Sequence, residues 1–216
     1  MKLKQIWKNN RGLIVFITLM MVFRSAVADW NHVPTGSMQP TIVEGDRIGI
    51  NKMAYDLRVP FTLTSIMAIA DPQRGDIVVF ESAAANMRMV KRVMGLPGET
   101  VAMVKGEVYI NGHKASYEQT ESNANAVLAN ERVGDMSHAI QTMKDRSGEL
   151  DNFDPVVVPK DHYLVLGDNR RNSADSRVYG FIPRGEIVGR AGSVIVSLDY
   201  DDYYLPRKER FLKSLD

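Results

Sequence analysis

Met87-Arg88-Met89-Val90-Lys91-Arg92-Val93-Met94 is the stretch whose reading decides the fold. Read with the period of a β-strand, it places Met87, Met89, Lys91 and Val93 on one face. Working outward, Asp46 to Ile50, Asp76 to Phe80, Thr100 to Val104, Val156 to Val158, His162 to Leu166 and Gly192 to Val196 share its texture. Val108-Tyr109-Ile110 runs into Asn111-Gly112, a strong hairpin signal. Short alternating runs separated by Gly, Pro and Asp predict a mainly β, antiparallel core. Ser116 to Asn152 is polar, weakly periodic and rich in Asn, Glu and Ser, and reads as part of an insertion on that core. The tail from Asp199 to Asp216 alternates charges and tyrosines and reads as surface.

The chain of 216 residues is long enough for one sizeable core, with or without a smaller satellite. Its net charge of +1 conceals a division, because residues 1–28 carry Lys2, Lys4, Lys8, Arg11 and Arg24 with no acid, giving +5 there and −4 beyond. The folded part keeps no basic stripe, which argues against a nucleic-acid partner. The absence of cysteine excludes disulfides, a thiol nucleophile and thiolate metal sites.

Leu13 to Phe23 is an apolar run of eleven residues, covering as a helix about 17 Å of a hydrocarbon core about 30 Å thick. Three readings compete. A basic start, this run and Ala26-Val27-Ala28 before Asp29 describe a cleavable secretory signal, and also raise the possibility of self-cleavage. A buried soluble helix fits poorly, since no polar residue recurs at helical spacing. A retained transmembrane anchor is favoured by Trp7 and Trp30, because a helix between them would extend roughly 34 Å and set one at each interface. Lys8, Arg11 and Arg24 would then snorkel toward water. The basic residues predict a cytoplasmic N-terminus and a domain on the other side of the membrane.

Ser37 lies in Pro34-Thr35-Gly36-Ser37-Met38-Gln39-Pro40-Thr41, just past this segment. A serine needs a base to take its proton during attack. Of the four histidines, His113, His138 and His162 stand in no motif with an orienting acid, and His32, near Ser37 in sequence, reads better as a loop or interfacial residue. Lys91 remains. Between apolar neighbours on a buried face, its charged form would lose hydration and its pKa would fall about 3 units, toward neutrality. An exposed lysine at a strand edge is an equal reading of the pattern alone. Gly36 permits a tight backbone that aims the Ser37 N–H at an oxyanion, and the Thr35 hydroxyl offers a second donor; a plain turn is the alternative.

Residues 34–41 resemble the nucleophile box of the bacterial type I signal peptidases, Ser/Lys dyad serine proteases. Arg74 to Phe80, Val90 to Gly98 and Gly167 to Arg177 resemble the family's other boxes, in the family's order. The resemblance implies an antiparallel β catalytic core with a small inserted β cap, preceded by one transmembrane helix. The division expected is 1–30 as cytoplasmic stub and anchor, 31–105 with 156–216 as catalytic domain, and 106–155 as cap. It implies Ser37 as nucleophile, Lys91 as base, Thr35 at the oxyanion and Ser173 orienting the amine. Arg92, Asp168, Asp175 and Arg177 are candidates for ion pairs that support the site, with the pairing unreadable from sequence. Arg171 stands where the family often has Asp, which leaves that position without an assigned role.

Val33, Pro34, Met38, Ile42, Met89 and Val90 flank the pair and would form shallow apolar pockets for small residues, although ordinary core packing is an equal reading for each. The expected partners are preprotein signal peptides and the lipid bilayer, with no metal or organic cofactor. The expected location is the bacterial inner membrane, with the domain on the periplasmic side. A dedicated pilin or partner-maturation peptidase of the same group remains an alternative. So does a noncatalytic membrane-tethered β module, which requires an exposed, protonated Lys91.

Overall fold

The computed structural model describes residues 2–62, 64–146 and 148–215, with the side chains of residues 2–6 and 8 outside that description. A helix, Lys2–Ala26, precedes a mainly β body. The body's main sheet runs in the order Ala28–His32, Asp46–Asn51, Ile187–Asp199, Ile77–Ser82, Met87–Gly95, His162–Leu166 and Ile182–Pro183. Two short strands, Leu205–Pro206 and Lys213–Ser214, add to Ile187–Asp199.

The centre of the sheet explains the continuous apolar run Ile77-Val78-Val79-Phe80. Ile77 and Val79 enter one buried cluster with Met38, Ile42 and Ile48, whereas Val78 and Phe80 enter another with Met89, Val93 and Val165. A strand covered on both faces needs apolar residues at every position rather than at alternate ones. Each fully buried branched or aromatic side chain contributes about 1.5–3 kcal/mol. The long strand Ile187–Asp199 serves two neighbours, and register shifts between Ala191 and Ser193 and between Val194 and Val196 bend it to do so.

Segment 100–157 forms two further sheets. Thr100–Val104 pairs with Phe153–Val157 and with Glu107–Ile110, which turns into His113–Lys114 through Asn111 and Gly112, both at positive φ as an Asn-Gly hairpin requires. The boundary expected at 105/106 falls in the turn joining two strands of this sheet. Ser116–Ser122, Ala126–Val133 and Met136–Met143 form a three-stranded meander, more regular than the polar, weakly periodic sequence suggests.

Two readings of the N-terminal end need correction. The helix stops at Ala26 because the chain then pairs with Asp46–Asn51, so Trp30 sits on a strand and not at a helix end. The Arg24 guanidinium lies 4.2 Å from the Trp30 ring centre and its Nε 2.7 Å from Asp29, so it is not free to snorkel. Lys8 falls outside the described side chains. The tail lies largely on the surface, as expected, and is tied down at two points: Arg210 forms a buried two-pronged pair with Asp46 (2.9 and 2.5 Å) and Leu215 joins the core. Among the described residues, no helix is long and apolar enough to cross a membrane. Ala26-Val27-Ala28 is folded in: Ala26 is buried, the Val27 carbonyl accepts from the Lys52 N–H at 2.9 Å, and Ala28 pairs with Asn51.

Candidate active site

Ser37 occupies a single 3-10 turn, Gly36–Met38, which Met38 anchors in the core at 1% exposure. A buried neighbour on a one-turn element leaves Ser37 little freedom and keeps it half-buried at the mouth of a cleft. The N–H groups that lead a helical turn have no partner within it, so the turn offers donors toward that cleft. Thr35, exposed and extended, makes no capping hydrogen bond with its side chain.

Lys91 projects from Met87–Gly95 with its Nζ 2.8 Å from Ser37 Oγ and 3.0 Å from the Val90 carbonyl oxygen. At 4% exposure it is not the strand-edge surface lysine that the pattern also allowed. Burial pushes the amine down from its usual 10.5 to about 8; the charges of Asp175 and Asp168 oppose that shift and Arg177 adds to it. An amine so poised, in contact with a hydroxyl, can accept its proton near neutral pH.

The loop after His162–Leu166 sets the frame. Arg92 forms a two-pronged pair with Asp168 (2.9 and 2.8 Å), and Thr41 Oγ1 donates to the same carboxylate at 2.5 Å. Arg177 pairs in the same way with Asp175 (2.8 and 2.7 Å), which also accepts from the Gly167 N–H at 2.9 Å and the Ser173 hydroxyl at 2.8 Å. Burial raises both acids, but the guanidinium charges and hydrogen bonds outweigh it and hold them below the usual carboxylate range. The expected four supporting residues therefore pair as Arg92 with Asp168 and Arg177 with Asp175. Ser173, expected to orient the amine, gives its hydroxyl to Asp175 instead.

Sequence reasoning passed over two members of this site. Asn169 donates from its backbone N–H to the Ser37 carbonyl (3.1 Å) and from Nδ2 to the Gly36 carbonyl (3.0 Å), stitching the loop to the turn. Gly167 allows that approach, because a Cβ there would stand 2.2 Å from Ser173 Oγ and 2.5 Å from the Ser37 carbonyl oxygen. Gly167→Ala is therefore expected to lower activity at least tenfold with the protein still folded, measured as reaction rate beside circular dichroism; native activity would sink the packing argument. His138 is buried, with Nε2 3.4 Å from Glu131 and 3.7 Å from Asp168. Burial holds it down to about 4, so it is neutral at pH 7 and far from a base role.

A cleft of about 830 Å³ runs past Ser37 and Lys91. All six residues named for apolar pockets, Val33, Pro34, Met38, Ile42, Met89 and Val90, line it, and Asn172, Ala174 and Tyr179 line it too. The strand His162–Leu166 pairs with Met87–Gly95 only at residues 92–95, so residues 87–91 present an unpaired edge along the cleft. Among the described residues, no group of acids and histidines is arranged to hold a metal ion.

A family model described as signal peptidase, peptidase S26, matches residues 7–196. Signal peptidase I of Pseudomonas aeruginosa is 36% identical over 204 residues, covering 87% of this chain and 72% of that one. Signal peptidase I of Bacillus amyloliquefaciens is 33% identical over 184 residues, covering 85% and 81%. The crystal structure of a signal peptidase I from Enterococcus faecalis has 33% identity and a TM-score of 0.37, covering 56% of this chain and 97% of that chain.

Proposed function

The chain belongs to the signal peptidase family, peptidase S26, and on that premise we propose that it is a membrane-anchored serine endopeptidase that removes signal peptides from exported preproteins. The observation that carries the reading is the 2.8 Å contact between Ser37 Oγ and an amine buried enough to titrate at about 8. At pH 7 roughly one molecule in ten then carries the free base, and the fraction rises steeply above that.

In this mechanism Ser37 Oγ attacks the carbonyl carbon of the scissile bond while Lys91 Nζ takes the hydroxyl proton. The oxyanion is received by the Ser37 N–H and the Thr35 hydroxyl. Collapse breaks the C–N bond, and the leaving amine takes the proton from the Lys91 ammonium. Lys91, neutral again, draws a proton from water as it attacks the acyl-enzyme; the signal peptide leaves with a free carboxylate and Ser37 recovers its proton. An extended substrate adds to the edge at residues 87–91 by main-chain hydrogen bonds and sets small side chains into the pockets beside Val33, Ile42 and Met89.

The helix Lys2–Ala26 is proposed as the anchor, with the domain outside the inner membrane. Its 25 residues extend about 38 Å. Leu13, Phe16, Leu19, Met20 and Phe23 are exposed around it, and lipid is the surroundings that would cover them at no hydrophobic cost. The flanking Trp7 is exposed as well.

The test is incubation of the purified chain in detergent or vesicles with a preprotein that carries alanines one and three residues before the cut. Cleavage after the second alanine is expected, lost in Ser37→Ala, with kcat/KM rising to a plateau through an apparent pKa of about 8. Cleavage that survives Ser37→Ala, or a rate flat between about pH 6 and 10, would end the reading.

A further inference from the structure

Arg170 and Arg171 leave the loop beside Ser37 separately, and each ends on an acid of the segment 116–151. Arg170, 2% exposed, forms a two-pronged pair with fully buried Glu131, one prong at 2.8 Å, and Glu131 also accepts from the Tyr117 hydroxyl at 2.6 Å. Arg171 Nε meets Asp151 Oδ2 at 2.9 Å. Gln141 adds a backbone ladder: its N–H donates to the Asp168 carbonyl at 2.9 Å, and its own carbonyl accepts from the Arg170 N–H at 2.8 Å. The residue held between those two rungs is Asn169, whose N–H and side-chain amide carry the carbonyls of Ser37 and Gly36.

We propose that the segment 116–151 is a clamp on the nucleophile turn, with Glu131 as its positioning residue acting through Arg170 and Asn169. The inference rests on Ser37 being the nucleophile. Burying two charges is a poor way to gain stability, since apolar residues of similar volume do as well or better. What a two-pronged, buried pair supplies is geometry, because its donors and acceptors match in one register only. A slip of the loop by one residue breaks the pair and both rungs of the ladder together. Arg171 and Asp151 act in the same sense, whereas Arg92 on Asp168 and Arg177 on the Arg170 carbonyl (2.7 Å) hold the loop from the side of the main sheet and its own turn. The segment, far from being a passive insertion, then determines where Ser37 Oγ stands relative to Lys91 Nζ.

The test uses the full chain carrying Glu131→Leu with Arg170→Met, which removes both charges and leaves neither orphaned. Expected are a fall of about tenfold in kcat for preprotein cleavage with KM within about twofold, and amide exchange about tenfold faster over residues 167–171. The unfolding midpoint is expected to stay within a few degrees. Combined with Asn169→Ala, which removes the Nδ2 bond to Gly36 and keeps the N–H bond to Ser37, the charge removal is expected to cost clearly less than the product of the two separate losses, because the two changes act on one link. Losses that multiply, or an Asn169 amide that exchanges at the native rate, overturn the proposal. Tyr117→Phe keeps every charge and is expected to give the same pattern at about twofold, which covers the case in which the double variant fails to fold; a native-like Tyr117→Phe then counts against the clamp. Exchange needs no catalysis. If exchange responds while the native protein shows no Ser37-dependent cleavage, the proteolytic reading falls, and what stands is the mechanical hold of Glu131 on the turn, without its catalytic role.

Discussion

Replacing Lys91 by methionine is expected to abolish preprotein cleavage and, at the same time, to make the protein harder to unfold. The catalytic loss is expected to be at least about 10⁴-fold, since a serine hydroxyl without its base retains only the contribution of binding and oxyanion donors. The stability gain follows from the same burial. Folding moves the amine from its usual 10.5 to about 8, which corresponds to about 3 kcal/mol of destabilisation wherever the unfolded chain would be protonated and the native amine must be forced to be. Methionine matches the length of the lysine stem and carries no charge, and the lost hydrogen bonds to Ser37 and the Val90 carbonyl offset about 1–2 kcal/mol of the gain.

The sign fixes the pH window. Below about pH 8 both states of the native chain hold the proton and the cost of Lys91 is present in full. Between about 8 and 10.5 the unfolded chain is protonated where the folded one is not, so raising the pH relieves the native protein. Urea unfolding should therefore find Lys91→Met more stable than native by about 1–2 kcal/mol at pH 7, with the gap closing near pH 9 and reversing to about 1–2 kcal/mol in favour of the native chain by about pH 10.5. A gap independent of pH, or a variant less stable at pH 7, would mean that the amine is solvated and the proposed base is an ordinary lysine.

The strands that carry this site were readable because their burial is apolar. Ile77 to Phe80 and Met87 to Met94 declare themselves by uninterrupted or alternating hydrophobic side chains. The meander at 116–143 did not. Ser116–Ser122 is exposed along most of its length, and two of the positions it helps bury, Glu131 and His138, stand opposite each other on neighbouring strands but are polar. Hydropathy cannot register a residue that is buried by pairing rather than by transfer from water. The same holds for Arg210 and Asp46, 164 positions apart, which fasten a tail that otherwise lies on the surface. Ser37 and Lys91 were legible from their motifs; their supporting pairs were legible as a set of residues and not as partners. The role of Asn169 lay in its backbone as much as its side chain, and a sequence displays only the latter. Trp30 misled because a tryptophan at a helix end and one on a strand beside it look alike in sequence.

Removing the guanidinium of Arg92 is expected to be the most destabilising single change near the site. Asp168 is 1% exposed, and Arg92 meets both of its oxygens while also holding the Gly75 carbonyl at 2.8 Å. Arg92→Met leaves a buried carboxylate with Thr41 and a neutral His138 for company, and a loss of about 3–5 kcal/mol is expected. Its pH dependence has a distinctive direction. In the native protein the Asp168 carboxyl is depressed, so its pairing stabilises the fold above the ordinary carboxylate pKa and is lost as acid protonates it. In Arg92→Met burial acts without the opposing charge and raises the carboxyl, so acid relieves the strain on the variant over a range in which the native carboxylate, ionised in both folded and unfolded chains, is unaffected. The difference in stability between the two should therefore shrink from pH 7 toward pH 5, and a difference that grows in acid would rule out an orphaned carboxylate as its cause. Arg92→Met combined with Asp168→Leu removes both charges and is expected to recover most of the stability. Activity separates the two roles of the acid. Because the charge of Asp168 raises the pKa of Lys91, the double variant should show its acid limb below the native value of about 8, with a lower plateau because the loop beside Ser37 is less firmly held. A limb that stays in place would show that Asp168 acts on the site through structure alone, and that the amine is set by burial and Asp175.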